Sequence, residues 1–297
     1  MIKKGSIAIF LNIALVIFVA CGSNNMHTTT MPLNEINTIV TLGASNAEIL
    51  VALGFGEKII AADKYSAGVE GLRDGVLRDF GFMDFDAEYL VSLKPDIVVA
   101  TDMIKAGGVY DPLAPISAAG ISVVYIPTST SIESIMQDIR LIASIMQAYE
   151  AADRVIANMQ EEIDKITDIA ATITQRRSVY FEIAPKPAMF SFGSGTFLHE
   201  MIELVGATNI FEDNEGWIPV TEEVLLDLNP DVILTSVDFL EDPIAEILSR
   251  PGFDVITAVQ NGDIFKIDAN TSTRPSHNIV IALREIAQAI FPEYFLQ

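Results

Sequence analysis

Apolar and polar residues follow two distinct patterns along most of this chain. Short β-branched runs, such as residues 39–42, 59–62 and 96–100, have the length and composition of buried strands. Longer stretches with helical spacing lie between them, and the stretch over residues 46–53 ends at Gly54, the expected position of a left-handed helix cap. Strands that alternate with helices in this way predict an α/β fold with parallel sheets.

The same order of elements returns in the second half of the chain, after Arg177. In each half, one glutamate precedes a glycine by six residues, and a second glutamate precedes a Pro-Asp strand start by seven. The repeat predicts two similar Rossmann-like lobes with central parallel sheets, and chance similarity of common patterns is the alternative. The repeated pairs are Glu48 and Gly54, Glu200 and Gly206, Glu88 and Pro95, and Glu223 and Pro230.

A long helical stretch separates the two repeats. Apolar residues recur at spacings of three and four over residues 132–146, which predicts one buried helix face. Residues 148–174 continue this spacing without glycine or proline, so they predict a rigid bridging helix that limits how far the lobes can open. The predicted organisation is therefore an N-terminal lobe over 38–147, the bridging helix over 148–174, a C-terminal lobe over 175–297, and a ligand cleft between the lobes.

The N-terminus has the pattern of a bacterial secretion signal. Two lysines precede an apolar run over residues 7–20, which is shorter than the roughly 20 residues of a membrane-spanning helix. Cys21 follows Val-Ala and resembles the cysteine of a lipobox, which is acylated and anchors the mature protein at the membrane surface. Residues 1–20 are predicted to be a lipoprotein signal peptide and 21–37 a tether, which places the body outside the cytoplasm, in the periplasm or at the cell surface. A plain secreted protein and an uncleaved anchor are the alternatives.

The composition narrows the possible functions. The chain has 40 acidic and 18 basic residues, and its formal net charge of −22 argues against nucleic-acid binding. One cysteine excludes an intrachain disulfide and a cysteine-rich metal cluster. The predicted body contains only His199 and His277, so a three-histidine site is excluded, and a mixed site with Asp84, Asp86 or Asp102 is left as an alternative. We therefore predict no resident metal and no intrinsic cofactor.

No catalytic signature is present in the sequence. The segment Gly193-Ser194-Gly195 lacks the flanking pattern of a nucleophile elbow, and there is no phosphate-binding loop that ends in Gly-Lys. The chain is therefore predicted not to be an enzyme. A metal-dependent hydrolase on the same fold is the rival interpretation.

The two lobes predict a binding cleft, because ligands of open α/β sheets lie beyond the carboxyl ends of the strands. The residues at these positions mix hydroxyls, amides and aromatic rings, which suits an organic ligand with an apolar body. Met83 is interpreted as a thioether ligand of a haem iron or as a packing residue, and His277 as a cleft residue or as a helix cap. The predicted cleft residues are Ser45, Asn46, Tyr65, Met83, Asp102, Met103, Lys105, Thr128, Ser191, Phe192, Trp217, Ser236, Asp238, Phe239, Arg274 and His277.

Several segments together resemble the class III periplasmic binding proteins, the substrate-binding lipoproteins of bacterial importers for iron complexes, haem and cobalamin. The resemblance extends from Thr38 to Tyr294 and includes the bridging helix. It implies a two-lobed binding protein that acts without covalent chemistry. The segments that carry the resemblance are residues 39–50, 88–99, 204–211 and 223–234.

The resemblance also implies partners. The lobes of a monomer hold the ligand and flex little, and each lobe presents one carboxylate to arginines of an ABC permease that works with a cytoplasmic ATPase. The matching positions are Glu88 and Glu223. Charge pairs at the rim of an interface orient docking more than they add affinity. The alternative is that both are ordinary exposed glutamates that interact favourably with a helix dipole.

The resemblance leaves the ligand open among related classes. Residues 62–66 and 126–132 look closest to binders of iron complexes. Met83 looks like a haem-binder residue, although Asp238 stands where one such group has a histidine, and Tyr65 resembles a tyrosine of cobalamin binders. A ferric siderophore is the predicted ligand, with haem or a corrinoid as the alternatives. A surface lipoprotein with a vestigial cleft is a further rival.

Overall fold

The computed structural model describes residues 36–105, 108 and 110–296. The predicted signal peptide at 1–20, the predicted lipidation site Cys21 and most of the predicted tether lie outside the described residues. Within these described ranges, no helix combines the length and apolar character needed to cross a bilayer.

The first half of the chain forms a four-stranded parallel sheet with the strand order β2-β1-β3-β4. The strands are mainly aliphatic, as expected for a parallel sheet that is covered on both faces. They are β1 (Ile39–Leu42), β2 (Ile59–Ala62), β3 (Ile97–Thr101) and β4 (Ser122–Ile126). The helices of this half are α1 (Ala44–Ala52), α2 (Ala87–Ser92) and α3 (Ala114–Ala118).

Two consecutive helices connect this sheet to the second half. Helix α4 (Ile132–Met146) begins after Ser131, whose hydroxyl accepts a hydrogen bond from the Ser134 N–H at 3.0 Å. Gln147 ends α4 in a left-handed conformation with φ 56°. Helix α5 (Tyr149–Ala170) then runs for 22 residues, or about 33 Å at 1.5 Å per residue.

The second half forms another four-stranded parallel sheet, with the order β10-β9-β5-β7, and a two-stranded antiparallel sheet of β6 and β8. Its strands are β5 (Ser178–Glu182), β6 (Phe190–Phe192), β7 (Thr208–Asn209), β8 (Trp217–Pro219), β9 (Val232–Thr235) and β10 (Ile264–Lys266). Its helices are α6 (Phe197–Leu204), α7 (Glu222–Leu228), α8 (Pro243–Leu248), α9 (Thr257–Asn261), α10 (Ala269–Ser272), α11 (Ile279–Ile290) and α12 (Pro292–Phe295).

Successive residues of the strands point into different hydrophobic clusters, because side chains alternate between the faces of a sheet. In β5, Val179 and Phe181 belong to one large cluster, whereas Tyr180 belongs to a smaller cluster of the second half. In β3, Val99 belongs to the same large cluster and Val98 to a cluster of the first half. This large cluster, the shared core, also receives side chains from α4, α5, α6 and α11. The predicted α/β fold with two parallel sheets is confirmed, and the lobe boundaries near residues 147 and 175 stay predictions.

The repeated Pro-Asp segments have the same structural role in both halves. Asp96 accepts hydrogen bonds from the N–H and the hydroxyl of Thr38, both at 2.9 Å. Asp231 accepts the equivalent pair from Ser178, both at 2.8 Å. Each aspartate therefore fixes the start of the neighbouring strand in its sheet.

Candidate ligand-binding cleft

A cavity of about 390 Å³ lies between the two parallel sheets, at the carboxyl ends of their strands. The segments after β1, β3 and β4 line one side, and the segments after β5 and β9 line the other. Residues around α10 complete the wall. This is the position at which open α/β sheets bind ligands.

A buried aspartate, Asp63, stabilises the turn after β1. The carboxylate of Asp63 accepts hydrogen bonds from the Gly43 N–H at 2.5 Å and from the Tyr65 N–H at 2.9 Å. Burial raises the pKa of Asp63 above its usual value, and these two backbone donors oppose the shift. Gly43 has φ 109°, a conformation that glycine adopts without strain. Asp63 thus fixes two segments of the cavity wall relative to each other.

Apolar side chains from both halves face the cavity. The Tyr65 ring is 51% exposed and lies 5.8 Å from the Phe82 ring, measured between centroids. Met103 is also partly exposed on this side, and Phe239, on the opposite side, is 71% exposed. Large exposed aromatic surfaces that line one cavity are typical of a ligand site.

Carboxylates form another part of the wall. Asp138 on α4 lines the cavity although it is only 6% exposed, and it accepts a hydrogen bond from the Ser129 hydroxyl. Burial, with a smaller contribution from the charge of Asp102, raises the pKa of Asp138 to about 6. Asp102 accepts a hydrogen bond from the Thr128 hydroxyl at 2.6 Å. Asp238, from the loop after β9, is the second carboxylate of the described lining, and Asp102 bonds to the lining residue Thr128 without lining the cavity itself.

Arg274 is the cation among the described residues that line the cavity. Its Nη1 donates to Oε1 of Glu48 at 2.9 Å, and its Nη2 donates to the backbone carbonyl of Tyr65 at 2.7 Å. Glu48 is 5% exposed, so its charge compensates that of Arg274 inside the wall. The described lining therefore carries an excess of negative charge.

Comparison with known proteins agrees with this geometry. Residues 39–271 match the periplasmic binding protein family. The chain is also 30% identical over 266 residues to the uncharacterized ABC transporter substrate-binding lipoprotein YvrC of Bacillus subtilis (strain 168), in a match that covers 88% of this chain and 82% of the relative. The chain belongs to the periplasmic binding protein family.

Solved structures show the same architecture. A possible iron-binding (periplasmic solute-binding) protein from Staphylococcus epidermidis ATCC 12228 superposes with a TM-score of 0.76 at 27% identity, covering 87% of this chain and 100% of that chain. The periplasmic heme-binding protein RhuT from Roseiflexus sp. RS-1 superposes with a TM-score of 0.77 at 25% identity, covering 86% and 98%. The family resemblance is thereby confirmed. The protein is an extracytoplasmic substrate-binding protein of the ABC importer class.

In this periplasmic binding protein, the structure brings many of the predicted cleft residues together around the cavity. They come from both halves of the chain, from the segments after β1, β2, β3, β4 and β9 and from the residues just after α10. Asp102 is outside the described lining, but its carboxylate accepts a hydrogen bond from the hydroxyl of Thr128, which lines the cavity. The predicted residues that line the cavity are Ser45, Asn46, Tyr65, Met103, Thr128, Ser236, Asp238, Phe239 and Arg274.

Four predicted residues occupy other parts of the fold. Ser191 and Phe192 are fully buried: the Ser191 hydroxyl donates to the Phe181 carbonyl at 2.7 Å, and the Phe192 ring packs in the shared core. The Trp217 ring is half exposed, and its centroid lies 6.1 Å from that of the Phe192 ring. Met83 is exposed on the surface. Ser191 and Phe192 were predicted to follow a strand but lie within β6, and the sequence could not show which way this strand directs its side chains.

Two further predicted residues lie near the cavity but outside its wall. The ammonium of Lys105 lies 3.2 Å from the centroid of the Tyr125 ring and also pairs with Asp111. Burial lowers the pKa of His277, and its Nδ1 has no hydrogen-bond partner among the described residues. The contacts with Tyr125 and Asp111 explain the position of Lys105, and the N-cap of α11 is Asn278, not His277.

The aspartates considered for a mixed metal site have separate local roles. Asp84 accepts a hydrogen bond from the Gly81 N–H, and Asp86 accepts one from the Glu88 N–H at the start of α2. Asp102 bonds to Thr128 as described. No group of three metal-binding side chains occurs within the described part of the chain.

The two predicted docking glutamates occupy equivalent exposed positions. Glu88 is the second residue of α2, after the N-cap Asp86, and Glu223 is the second residue of α7, after the N-cap Thr221. Hydrogen bonds from its own backbone N–H and from the Thr221 hydroxyl lower the pKa of Glu223. The neighbouring Glu222 differs, because it pairs with Lys186 at 2.7 Å.

Several lining residues were missed from the sequence. They include Phe82, Asp138, Ile183, Asn270 and Thr273. A usable signal existed for Asp138, since it interrupts the apolar face of α4 at a position three residues after Ile135. Asn270 and Thr273 carried no such signal, because α10 is a single short turn whose position depends on the tertiary fold.

Proposed function

We propose that this protein captures a ferric hydroxamate siderophore and delivers it to an ABC permease. The observation that carries the proposal is the cavity wall, which combines apolar surfaces from both halves with an excess of carboxylates. Tyr65, Met103 and Phe239 can cover the organic body of a chelate. The hydroxyls and amides of Ser45, Thr128 and Asn270 stand beside them as polar partners.

The charge of the wall favours hydroxamates over catecholates. Asp138 and Asp238 line the cavity, Asp102 is bonded to the lining residue Thr128, and Arg274 is already paired with Glu48. Two like charges 4 Å apart repel by about 4 kcal/mol near a protein surface. A trianionic ferric catecholate would face this repulsion, whereas ferric trihydroxamates are neutral or positively charged.

Haem is the second candidate, and Tyr65 is the observation in its favour. Its phenol is half exposed at the cavity, and a tyrosine oxygen is an established type of haem iron ligand. Met103, on the same wall, offers a thioether. The haem-binding protein RhuT supports this candidate, and the possible iron-binding protein of Staphylococcus epidermidis supports an iron complex in general.

Delivery would use the two exposed glutamates and a membrane anchor. We propose that Glu88 and Glu223 contact arginines of the permease, one from each lobe, while a lipid on Cys21 keeps the monomer near the membrane. The lipoprotein designation of YvrC supports the anchor. Capture and delivery need no bond to be made or broken, so we propose a role without enzymatic activity.

A thermal-shift panel on the mature protein tests the ligand class. It compares ferrioxamine B, which carries a free ammonium, with its neutral N-acetylated form, ferric enterobactin, haem, cyanocobalamin and free ferric ion. A ligand of the folded state at 100 times its Kd stabilises the protein by about 2.7 kcal/mol. We expect both ferrioxamines to raise the Tm and ferric enterobactin to leave it unchanged.

Matched variants locate the binding site in this assay. Phe239→Ala should reduce the Tm shift, because it removes an exposed aromatic surface of the cavity. Tyr149→Ala removes a similarly exposed ring on α5, outside the lining, and should keep the full shift. If haem alone raised the Tm, haem would replace the siderophore as the proposed ligand. No shift with any metal chelate would contradict the proposed function.

A further inference from the structure

Two glutamates at equivalent positions of the repeat form hydrogen bonds with the opposite half of the molecule. Glu48 lies on α1, six residues before Gly54, and Glu200 lies on α6, six residues before Gly206. Each carboxylate accepts from a group at the N-terminal end of a helix that belongs to the other repeat. The sequence repeat is therefore accompanied by a reciprocal pair of contacts.

Glu48 is connected to three groups across the cleft. Its Oε1 accepts from Nη1 of Arg274 at 2.9 Å, and its Oε2 accepts from the hydroxyl of Ser276. Ser276 also accepts from the N–H of Asn278, which is the N-cap of α11, at 3.2 Å. Arg274 in turn donates to the Tyr65 carbonyl at 2.7 Å. One buried carboxylate thus links α1, the Tyr65 turn and the start of α11.

Glu200 makes the reciprocal contact. Its Oε2 accepts from the N–H of Ile132, the first residue of α4, at 2.7 Å. Helix α4 packs against α1 and β4 of the first half, whereas α11 packs against α6 of the second half. In both cases a negative charge lies at the N-terminal end of a long helix, where the helix dipole favours it.

We infer that Glu48 and Glu200, the cross-lobe glutamates, hold the two lobes at a fixed separation before any ligand binds, and that Glu48 is a positioning residue for the cavity. Arg274 and Tyr65 both line the cavity but come from opposite halves. Because Glu48 orients Arg274, and Arg274 holds the Tyr65 backbone, this network sets the distance between the two walls. A preorganised site loses less conformational entropy when it binds.

The separation of the lobes can be measured without a ligand. The full chain with Cys21→Ser has no native cysteine. Spin labels at Ser92→Cys and Asp227→Cys occupy equivalent exposed positions on α2 and α7. Pulsed EPR should give one narrow distance distribution for this parent. The combination of Glu48→Gln and Glu200→Gln should give a broader or displaced distribution.

Glu203→Gln is the matched control. Glu203 lies one turn after Glu200 on α6, and its partner Arg176 lies in the same half of the chain, so the distribution should stay narrow. Ser276→Ala removes one hydrogen bond to Glu48 and leaves the ion pair between Glu48 and Arg274. It replaces the double variant in the EPR comparison if circular dichroism shows that the double variant is unfolded. A folded double variant with the parent distribution, or a parent with a broad distribution, would overturn the inference.

Binding gives a second readout for Glu48. If ferrioxamine B stabilises the parent, Glu48→Gln should weaken its binding by about tenfold, because the cavity must then be ordered during binding. Glu203→Gln should leave the affinity unchanged. The EPR result is independent of any ligand, so a failure of the proposed siderophore function and a failure of this inference are distinguishable.

Discussion

Asp138 shows how the surroundings of one residue change its protonation. It is buried in the wall of the cavity that Asp238 and Arg274 also line, and burial, with a smaller contribution from Asp102, raises its pKa to about 6. In the unfolded chain the pKa returns to its ordinary value of 3.8. The folded state therefore binds the proton more tightly, so this contribution to stability is complete below pH 3.8 and is lost as the pH rises through 6.

Asp138→Asn removes this pH dependence. As the pH rises from 5.0 to 7.5, the unfolding free energy of the parent should fall by about 1–1.5 kcal/mol relative to that of Asp138→Asn. This is the change that a pKa of about 6 produces. Urea denaturation at both pH values measures the change. Asp153→Asn, at an exposed site on α5, is the control and should show no such difference from the parent. Parallel curves for Asp138→Asn and the parent would contradict the raised pKa.

Arg274 and Arg284 differ in what their removal leaves behind. Arg274→Ala would leave Glu48 buried with only the Ser276 hydroxyl as a partner, which should cost about 3 kcal/mol. Arg284→Ala breaks a more exposed pair with Glu162 and should cost less than about 1 kcal/mol. Denaturant titrations compare the two variants. Equal losses would show that the Glu48 pair contributes no more than a surface ion pair.

The sequence predicted single residues best where a strand ends. Ser45, Thr128 and Ser236 lie within three residues of a strand end, so the general position of ligand sites in α/β folds was enough to find them. The same rule failed where the direction of a side chain depends on tertiary contacts. Phe192 also follows the pattern, but β6 pairs with β8 and turns this ring into the shared core.

Helices α2 and α7 end in the same way, with a left-handed residue before a proline. Lys94 has φ 50° and Asn229 has φ 43°. An L-residue is strained in this region, although asparagine tolerates it better than lysine. The side chain of Asn229 also bonds to Thr257, through Nδ2 to the hydroxyl at 2.9 Å and through Oδ1 to the N–H at 2.7 Å. Lys94 and Asn229 therefore share a left-handed backbone conformation but not the same stabilising contacts.

Glycine at these two sites should have opposite effects. Lys94→Gly should stabilise the protein by about 0.5–1 kcal/mol, because it relieves the left-handed strain. Asn229→Gly should destabilise it by about 1 kcal/mol, because the gain is outweighed by the lost bonds to Thr257. Thermal denaturation of both variants provides the comparison. Stabilisation by both would mean that the Asn229 side chain contributes little.

Most regular elements could be predicted because their pattern is local. The strands around residues 39–42 and 96–100 and the helical face over 132–146 were all visible as periodicity. The break at Gln147 was not visible, because a glutamine in a left-handed conformation has no distinctive sequence signal. The antiparallel pair of β6 and β8 was missed for a similar reason, since these strands have only three residues each and lie apart in the sequence.

The charge of the whole molecule gives the proposed docking glutamates a clear test. Two Glu→Lys reversals change the formal net charge only from −22 to −18, so any strong effect must come from the positions of the two residues. Glu88→Lys with Glu223→Lys should abolish uptake of the bound chelate in cells and leave its affinity unchanged. Glu161→Lys with Glu162→Lys, on α5, makes the same charge change and should preserve uptake. A joint loss of binding and uptake would assign Glu88 and Glu223 to the fold or the cavity.

The shared core links the folding of the two halves. Residues as far apart in sequence as Ile39 and Ile290 belong to this one cluster, together with one face of each parallel sheet. If one half were excised, that face of its sheet would be exposed to water. Neither half should therefore fold on its own. The protein should consequently melt in one cooperative calorimetric transition, and its two lobes form a single folding unit despite their duplicated pattern.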